Sequence, residues 1–247
     1  MSGIAWQALG QNKQLDRLTW LSIVLPCHNE EKSIQAVVVD ALRVGHALAE
    51  RLEVVVVNDG SSDGSAAVLG DLQRRHAELR VVTHEQNRGY GAALRSGFTS
   101  AEADYIFYTD ADGQFRLDDL SRALPVLRSH DIAVGYRAGR QDPWFRRLAG
   151  SLWTGLMNRC FALEVRDVNC AFKVFPRELF AQIDIESEGA LVDAEVLAKA
   201  RALGMRIGEF PVVHFPRVAG QQSGTAPRVV LRACQELSQM IRQRRNH

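Results

Sequence analysis

The sequence lacks any long apolar run: no uninterrupted stretch approaches the roughly 18 residues that a membrane-spanning helix needs. The start of the chain also lacks the charged-then-apolar pattern of a signal peptide. We therefore expect a cytoplasmic location. Any membrane contact should be peripheral, made at the inner face of the membrane by amphipathic helices or through a membrane partner subunit.

Cysteine and net charge are also scarce. The four cysteines are widely spaced and form no C-x-x-C pair, which is typical of reduced thiols in the cytosol. The formal net charge is only +1, so no overall field recruits nucleic acid, and we expect no nucleic-acid partner. Residues 201–247, however, carry eight arginines against two glutamates. This local excess suits either an anionic partner, such as a phosphate or a lipid surface, or a solvated basic tail.

The first two-thirds of the chain alternates short apolar runs with amphipathic segments, a pattern typical of βαβ units and a mostly parallel sheet. The predicted strands are Leu21–Leu25, Glu53–Val57, Arg80–Thr83, Tyr105–Thr109 and Ile132–Gly135. The predicted helices between them are Glu31–Glu50, Ser65–Ala77, Gly91–Ala101 and Leu117–Ser129. At 247 residues, the chain is predicted to form one α/β domain with helices on both faces of the sheet.

The pattern changes after Arg137. Residues 144–161 place apolar side chains at three- and four-residue steps with arginines alongside, which predicts an amphipathic helix that lies on a membrane or packs on the core. Residues 190–203 predict another helix, and residues 206–215 predict a strand in which Pro211 and the following Pro216 favour a sheet edge or a turn. Residues 227–247 predict a basic amphipathic helix.

Polar motifs follow the carboxyl ends of the predicted strands, where open parallel sheets bind their ligands. Asp59, after the second strand, could accept hydrogen bonds from a base or a ribose hydroxyl. The stretch Asn87–Ala93 opens a helix with small residues, and its backbone amides could receive an anion. It lacks both the G-x-G-x-x-G spacing of dinucleotide folds and the GK[ST] ending of a P-loop.

The acidic pair Asp110 and Asp112 follows the fourth strand and is the strongest signal. Two carboxylates one residue apart concentrate negative charge, which a hard divalent cation with oxygen ligands would compensate. We predict Mg²⁺ or Mn²⁺ on Asp110, Asp112 and Gln114, where it would bridge a diphosphate and stabilise it as a leaving group.

These motifs together resemble family 2 glycosyltransferases of the GT-A fold, and among them most closely the dolichol- or polyprenyl-phosphate hexose synthases. The resemblance runs from about Leu21 to Ser223. It rests on Pro26–Glu30 (P-x-Y-N-E, with His28 in place of the aromatic), Asn58–Asp63 (D-D-G-S-x-D, with Asn58 first), Asn87–Ala93, Asp110–Gln114 (D-A-D-x-Q), Gly135–Arg137 (G-x-R), Asp167–Lys173 (D-x-x-x-G-F-K, with Ala171 for glycine) and Arg217–Ser223.

The resemblance implies roles for individual residues. Donor binding would fall to Pro26, His28, Glu30, Asp59, Asp110, Ala111, Asp112 and Arg217. The acceptor phosphate would be held by Arg137, Arg147 and Ser151, and the catalytic residues would be Asp112, Arg137 and Arg217. Residues 1–20 would be an N-terminal extension, 21–137 the nucleotide-sugar half and 138–226 the acceptor half.

The function expected from this resemblance is transfer of a hexose, with inversion, from GDP-mannose or UDP-glucose to a polyprenyl phosphate. A lipid phosphate is largely ionised at neutral pH and needs no strong base. A hydroxyl acceptor on a glycan or small molecule would instead need a carboxylate base, for which Asp193 and Glu195 are the candidates. A protein that binds nucleotide sugars without catalysis is the alternative of another class.

Overall fold

A computed structural model describes residues 16–139 and 144–216, with residues 233, 235–238, 240 and 242 beyond them. Its seven strands form one sheet in the order β3-β2-β1-β4-β6-β5-β7. The strands are β1 (Leu18–Cys27), β2 (Ala49–Asp59), β3 (Leu79–His84), β4 (Tyr105–Thr109), β5 (Ile132–Ala138), β6 (Phe172–Pro176) and β7 (Ile207–Val213). Only β6, paired antiparallel to both β4 and β5, interrupts the parallel arrangement of the described strands. The predicted α/β architecture is therefore confirmed.

The central strands are buried on both faces. Val54, Val55, Val56 and Val57 in β2 are all 0% exposed, as a continuous β-branched run predicts. The sequence does not predict β6, which is only five residues long and has every residue buried. A short apolar run without alternation gives little periodicity to detect.

Helices cover the sheet. They are α1 (Ile34–Leu48), α2 (Ser65–Arg75), α3 (Tyr90–Ser100), α4 (Ala123–Leu127), α5 (Trp144–Phe161) and α6 (Val192–Ala202). The prediction of a single helix over Leu117–Ser129 was wrong, because a 3₁₀ helix (Leu117–Arg122) precedes the short α4. Pro125 has no backbone N–H to donate, so one continuous α-helix through this segment is disfavoured.

Some of the apolar residues of helix α5 are buried in the core and others are exposed. Met157 and Phe161 are buried at 0% and 5% exposure and pack on the core. Leu148, Leu152 and Leu156, spaced four residues apart, are exposed by 51%, 66% and 44%. The helix therefore packs on the core and also presents an apolar ridge to its surroundings.

The far end of the sheet agrees with the predictions. β7 is an edge strand in the described sheet, as the prolines of that segment favoured.

Within the described residues, no helix is both long enough and apolar enough to cross a membrane. Arg217, Ser223 and most of the predicted C-terminal helix lie outside the described residues.

The sheet brings the predicted motifs to one edge. β1 pairs in parallel with β2 and with β4, so the loops after Cys27, Asp59 and Thr109 leave the same side. Helix α3 lies close against the sheet at Gly97, where a Cβ would stand 2.4 Å from Cγ1 of Val24. The start of α3 lies beside the loop that carries Asp110, because the hydroxyl of Tyr90, its first residue, donates a hydrogen bond to that carboxylate.

Candidate active site

The acidic pair at the end of β4 is partly buried. Oδ1 of Asp110 accepts a hydrogen bond of 2.9 Å from the Tyr90 hydroxyl, and Oδ1 of Asp112 accepts one of 3.0 Å from the Gln114 backbone N–H. Burial, followed by the charge of Asp112, raises the pKa of Asp110 to about 7, although Tyr90 and Arg137 act in the opposite direction. The site therefore concentrates negative charge that the neighbouring residues only partly compensate.

This donor set fits a divalent cation that keeps open positions. Among the described residues, no group of three or more His, Cys, Asp or Glu side chains is arranged to enclose a metal ion. Two carboxylates suit Mg²⁺ or Mn²⁺, because Mg²⁺ is commonly held by one or two carboxylates together with substrate phosphates and water. The third predicted ligand, Gln114, is 7% exposed and donates from Nε2 to the Phe215 carbonyl at 2.9 Å. Its role as a ligand stays a prediction.

Asp59, the predicted donor-base contact, is buried with 3% exposure. Its carboxylate accepts hydrogen bonds from the backbone N–H groups of Arg88 and Gly89, at 2.8 and 2.9 Å, and lies 2.7 Å from Nδ1 of His84. The Asp59 carboxylate is therefore the anion at the start of α3. The amide of Gly91 donates to the Glu188 carbonyl at 2.9 Å. Asp59 anchors the turn into α3, and its contact with a donor base stays a prediction.

The loops after β1 and β2 are tied to each other. Nδ1 of His28 lies 2.7 Å from the Asp59 carbonyl oxygen, and Oδ1 of Asn29 accepts a hydrogen bond of 2.8 Å from the Ser62 backbone N–H. His28 is exposed, while Pro26 is buried and Glu30 half-buried. These predicted donor-binding residues lie at the ends of adjacent strands, where the imidazole of His28 remains accessible to a ligand.

The predicted acceptor residues are spread over two elements. Arg137, at the end of β5, forms a bidentate ion pair with Asp167, with Nε–Oδ2 and Nη2–Oδ1 distances of 2.6 and 2.8 Å. Arg147 and Ser151 are exposed on α5, where the Ser151 hydroxyl donates to the Arg147 carbonyl at 2.9 Å. The structure therefore holds Arg137 rigidly, and leaves Arg147 on a surface that a phosphate could reach.

The two candidate bases are both held by the fold. Oδ1 of Asp193 accepts hydrogen bonds from the Lys173 ammonium, at 2.5 Å, and from the Tyr108 hydroxyl. Glu195 accepts hydrogen bonds from the backbone N–H groups of Glu186 and Ser187, each at 2.8 Å. Asp193 and Glu195 are 7% and 2% exposed.

Glu195 also pairs with Lys199, at 2.7 Å. Burial alone would raise the pKa of Glu195, but the hydrogen bonds from Lys199 and the two amides leave it below its usual value. A carboxylate with a lowered pKa is a weak proton acceptor, so this residue is poorly suited to general-base catalysis.

The sequence patterns did not single out three residues whose side chains contact the candidate site residues. Lys173 is fully buried and donates to Tyr108 and Asp193, and Tyr90 binds Asp110. Burial and the charge of Asp110 raise the pKa of Tyr90 well above its usual value, so its hydroxyl remains a donor. Tyr90 lies inside the stretch Asn87–Ala93 and Tyr108 two residues before Asp110, and the polar hydroxyl on an otherwise apolar side chain was the available signal.

A cavity of about 620 Å³ lies elsewhere, at the edge of the sheet where the parallel strands begin. Its lining includes Thr19 near the start of β1, Tyr105 at the start of β4 and Asp131 just before β5. The predicted donor and metal residues stand at the opposite ends of these strands, so this cavity is separate from the candidate site.

Comparison with known proteins gives a family match. The profile described as "Glycosyl transferase family 2" matches residues 22–184. The chain is 29% identical over 208 residues to an undecaprenyl-phosphate 4-deoxy-4-formamido-L-arabinose transferase of Edwardsiella ictaluri, covering 83% of this chain and 62% of that protein. It is 30% identical over 210 residues to the dolichyl-phosphate beta-glucosyltransferase ALG5A of Trichomonas vaginalis, covering 78% and 65%. The chain thus spans less than two-thirds of the length of these two relatives.

Solved structures share the fold. Glucosyl-3-phosphoglycerate synthase from Mycobacterium tuberculosis, in complex with Mn²⁺ and UDP-glucose, superposes with a TM-score of 0.67 at 19% identity, covering 90% of this chain and 78% of that one. Mannosyl-3-phosphoglycerate synthase from Rubrobacter xylanophilus gives a TM-score of 0.67 at 18% identity, covering 93% and 76%. These likenesses confirm the predicted GT-A fold.

The anchoring role of Asp59 predicts a loss of stability in the Asp59→Asn variant. The substitution replaces a carboxylate, whose two oxygens accept hydrogen bonds from two backbone N–H groups, by an amide with one acceptor oxygen. This change should lower the free energy of unfolding by about 1–3 kcal/mol. Urea unfolding of the full chain measures this change. The matched control is Asp71→Asn on α2, whose side chain is 41% exposed and pairs with Arg74 at 3.1 Å; it should change the free energy by less than about 0.5 kcal/mol. Equal stability of Asp59→Asn and the unaltered protein would contradict the anchoring role.

Proposed function

The chain belongs to glycosyl transferase family 2, and we propose that it transfers a hexose, with inversion, from a nucleotide sugar to a polyprenyl phosphate at the cytoplasmic face of a membrane. GDP-mannose and UDP-glucose are the proposed donors. The two sequence relatives described above support a polyprenyl-phosphate acceptor, because both are named as transferases acting on undecaprenyl or dolichyl phosphate. The solved structures support the fold alone at their low identity.

The way in which Asp193 and Glu195 are held favours a phosphate acceptor over a hydroxyl acceptor. A hydroxyl must lose its proton to a positioned base as it attacks. Asp193 is paired with a buried lysine, and Glu195 binds two backbone amides and Lys199. A phosphate monoester has a second pKa near 6, so it is already largely ionised at neutral pH and needs neither carboxylate.

On the donor side, Asp110 and Asp112 would hold the divalent cation. When bound, the cation neutralises the diphosphate and stabilises it as a leaving group. His28 is exposed at the end of β1 and would face the nucleotide together with Pro26, Glu30, Asp59 and Ala111. The chain's own contribution is to gather these groups at the ends of three neighbouring strands and to hold them in fixed loops.

On the acceptor side, Arg137 would receive the attacking phosphate. Its guanidinium is oriented by Asp167 through two hydrogen bonds, so little side-chain freedom is lost when a phosphate binds. The positive charge of Arg137 also lowers the pKa of Asp110, which supports a proposed acceptor site near the proposed metal ligands. Arg147, Ser151 and Arg217 are the further residues proposed to bind phosphate groups.

The apolar ridge of Leu148, Leu152 and Leu156 on α5 supports a peripheral contact with lipid. Exposed leucines flanked by the exposed arginines Arg147 and Arg159 combine apolar area with positive charge, as helices at an anionic membrane surface do. Because Arg147 lies on the same helix, a lipid phosphate reached from the membrane would arrive beside the proposed acceptor site. A membrane partner subunit remains the alternative way of reaching the membrane.

Lipid transfer should depend on the acidic pair. The full chain is incubated with labelled GDP-mannose or UDP-glucose, Mg²⁺ and polyprenyl phosphate, and label in the organic phase is counted. Replacement of both Asp110 and Asp112 by asparagine should reduce the rate at least about 100-fold, because stabilisation of the leaving charge is lost. Asp40→Asn, a partly exposed carboxylate on α1 that pairs with Arg43, should leave the rate unchanged.

Other results of this assay would overturn the proposal. With a panel of soluble sugars added and the aqueous phase also analysed, label that enters a soluble sugar and never the lipid would establish a hydroxyl acceptor. No turnover on either kind of acceptor, with donor binding detected by a shift of the thermal midpoint, would establish a non-catalytic nucleotide-sugar-binding protein. Full activity in the asparagine double variant would remove the metal-centred mechanism.

Membrane binding should depend on the ridge of α5. Leu148→Ser combined with Leu152→Ser removes exposed apolar area and should weaken sedimentation with phosphatidylglycerol vesicles by roughly 10-fold or more, since burying one leucine contributes about 1.5–3 kcal/mol. Val39→Ser on α1, where the valine is 47% exposed, is the matched control and should bind as the unaltered protein does. Equal binding by all three proteins would exclude the ridge as the contact surface.

A further inference from the structure

Tyr90 connects the start of α3 to the acidic pair. Its hydroxyl donates a hydrogen bond of 2.9 Å to Oδ1 of Asp110. Tyr90 is the first residue of α3, and its ring packs partly buried against the core. The hydroxyl therefore reaches Asp110 from a helix rather than from the loop on which Asp110 itself lies.

The backbone around Tyr90 leaves it little room to move. The amides of Arg88 and Gly89 are fixed by Asp59, and the Gly91 amide is fixed by the Glu188 carbonyl. Gly89 has a φ of 98°, which favours glycine, and a Cβ on Gly91 would lie 2.2 Å from the Ser187 carbonyl oxygen. The position of the Tyr90 hydroxyl is thus set by several backbone contacts.

A carboxylate that binds a cation must present an oxygen in the correct direction, and hydrogen bonds from neighbouring groups set that direction. Asp110 is the first residue after β4 and lies outside the strand itself. The hydrogen bond from Tyr90 engages Oδ1 and leaves Oδ2 of the same carboxylate for a cation.

We propose that Tyr90 is a positioning residue for the divalent cation: its hydroxyl holds Asp110 in the orientation that binds Mn²⁺ or Mg²⁺. This inference rests on the proposed function, in which Asp110 is a metal ligand. It adds a residue of α3 to the metal site and links that site, through the turn that Asp59 anchors, to the end of β2.

The test is Mn²⁺ affinity, measured by electron paramagnetic resonance of free Mn²⁺ with the full chain, in the absence and presence of UDP or GDP. Tyr90→Phe removes one hydroxyl and should weaken Mn²⁺ binding by roughly 10-fold. The KM for Mn²⁺ in the transfer assay should rise by a similar factor, with kcat at saturating Mn²⁺ changed far less. Tyr105→Phe, at the other end of β4, is the matched control and should leave both values unchanged.

A double-mutant cycle tests whether the hydroxyl acts through Asp110. Asp110→Asn alone should weaken Mn²⁺ binding, and adding Tyr90→Phe to it should cause little further loss. Additive losses would overturn the inference, because Tyr90 would then act by another route. Tyr90→Leu provides a second variant without the hydroxyl, and the thermal midpoint of each variant shows that it is folded.

The outcomes separate the inference from the proposed function. If Asp110→Asn weakens Mn²⁺ binding and Tyr90→Phe does not, Tyr90 is no positioning residue and the metal site stands. If Asp110→Asn itself binds Mn²⁺ as the unaltered protein does, the metal site proposed here fails, and the inference fails with it.

Discussion

The proposed site is built around the electrostatic repulsion between two neighbouring carboxylates at the end of β4. Asp110 and Asp112 lie one residue apart in a partly buried turn, and burial together with their mutual repulsion raises the pKa of Asp110 to about 7. The fold compensates this charge only in part, through the hydroxyl of Tyr90 and the nearby charge of Arg137. A divalent cation would complete the compensation, and the same cation would serve a departing diphosphate. The proposed chemistry thus follows from negative charge on Asp110 and Asp112 that the folded chain itself does not fully neutralise.

The remaining polar groups around the site are largely satisfied within the fold. Asp59 binds backbone amides at the start of α3, Asp193 pairs with Lys173, and Glu195 binds the loop at 186–187. Buried charges paired in this way are costly to disturb, because removing one partner leaves the other uncompensated. They hold the loops that carry the proposed ligand-binding residues, while Arg137 is held at the end of β5 by Asp167. This division of roles is consistent with an acceptor that arrives already ionised.

The sequence predicts the parallel sheet well, because the β-branched run in β2 and the polar motifs after β1, β2 and β4 mark strand ends clearly. It does not predict β6, whose five residues are all buried and show no alternation. Nor does it reveal that Lys173 is buried, since its partners Asp193 and Tyr108 lie 20 and 65 positions away in the chain. Asp59 shows why the role of a single carboxylate is hard to predict from sequence. A carboxylate at the end of a strand can bind either a ligand or the amides at a helix start, and the structure shows that Asp59 binds backbone amides. The roles of Arg147, Ser151 and Arg217 rest on family resemblance and stay predictions.

Anomalous diffraction from crystals grown with Mn²⁺ and UDP or GDP tests the central claim most directly. The account predicts a manganese peak within about 2.0–2.6 Å of carboxylate oxygens of Asp110 or Asp112, with diphosphate oxygens completing the coordination. A bound nucleotide whose diphosphate lies away from both carboxylates, with manganese elsewhere or not ordered at all, would contradict it.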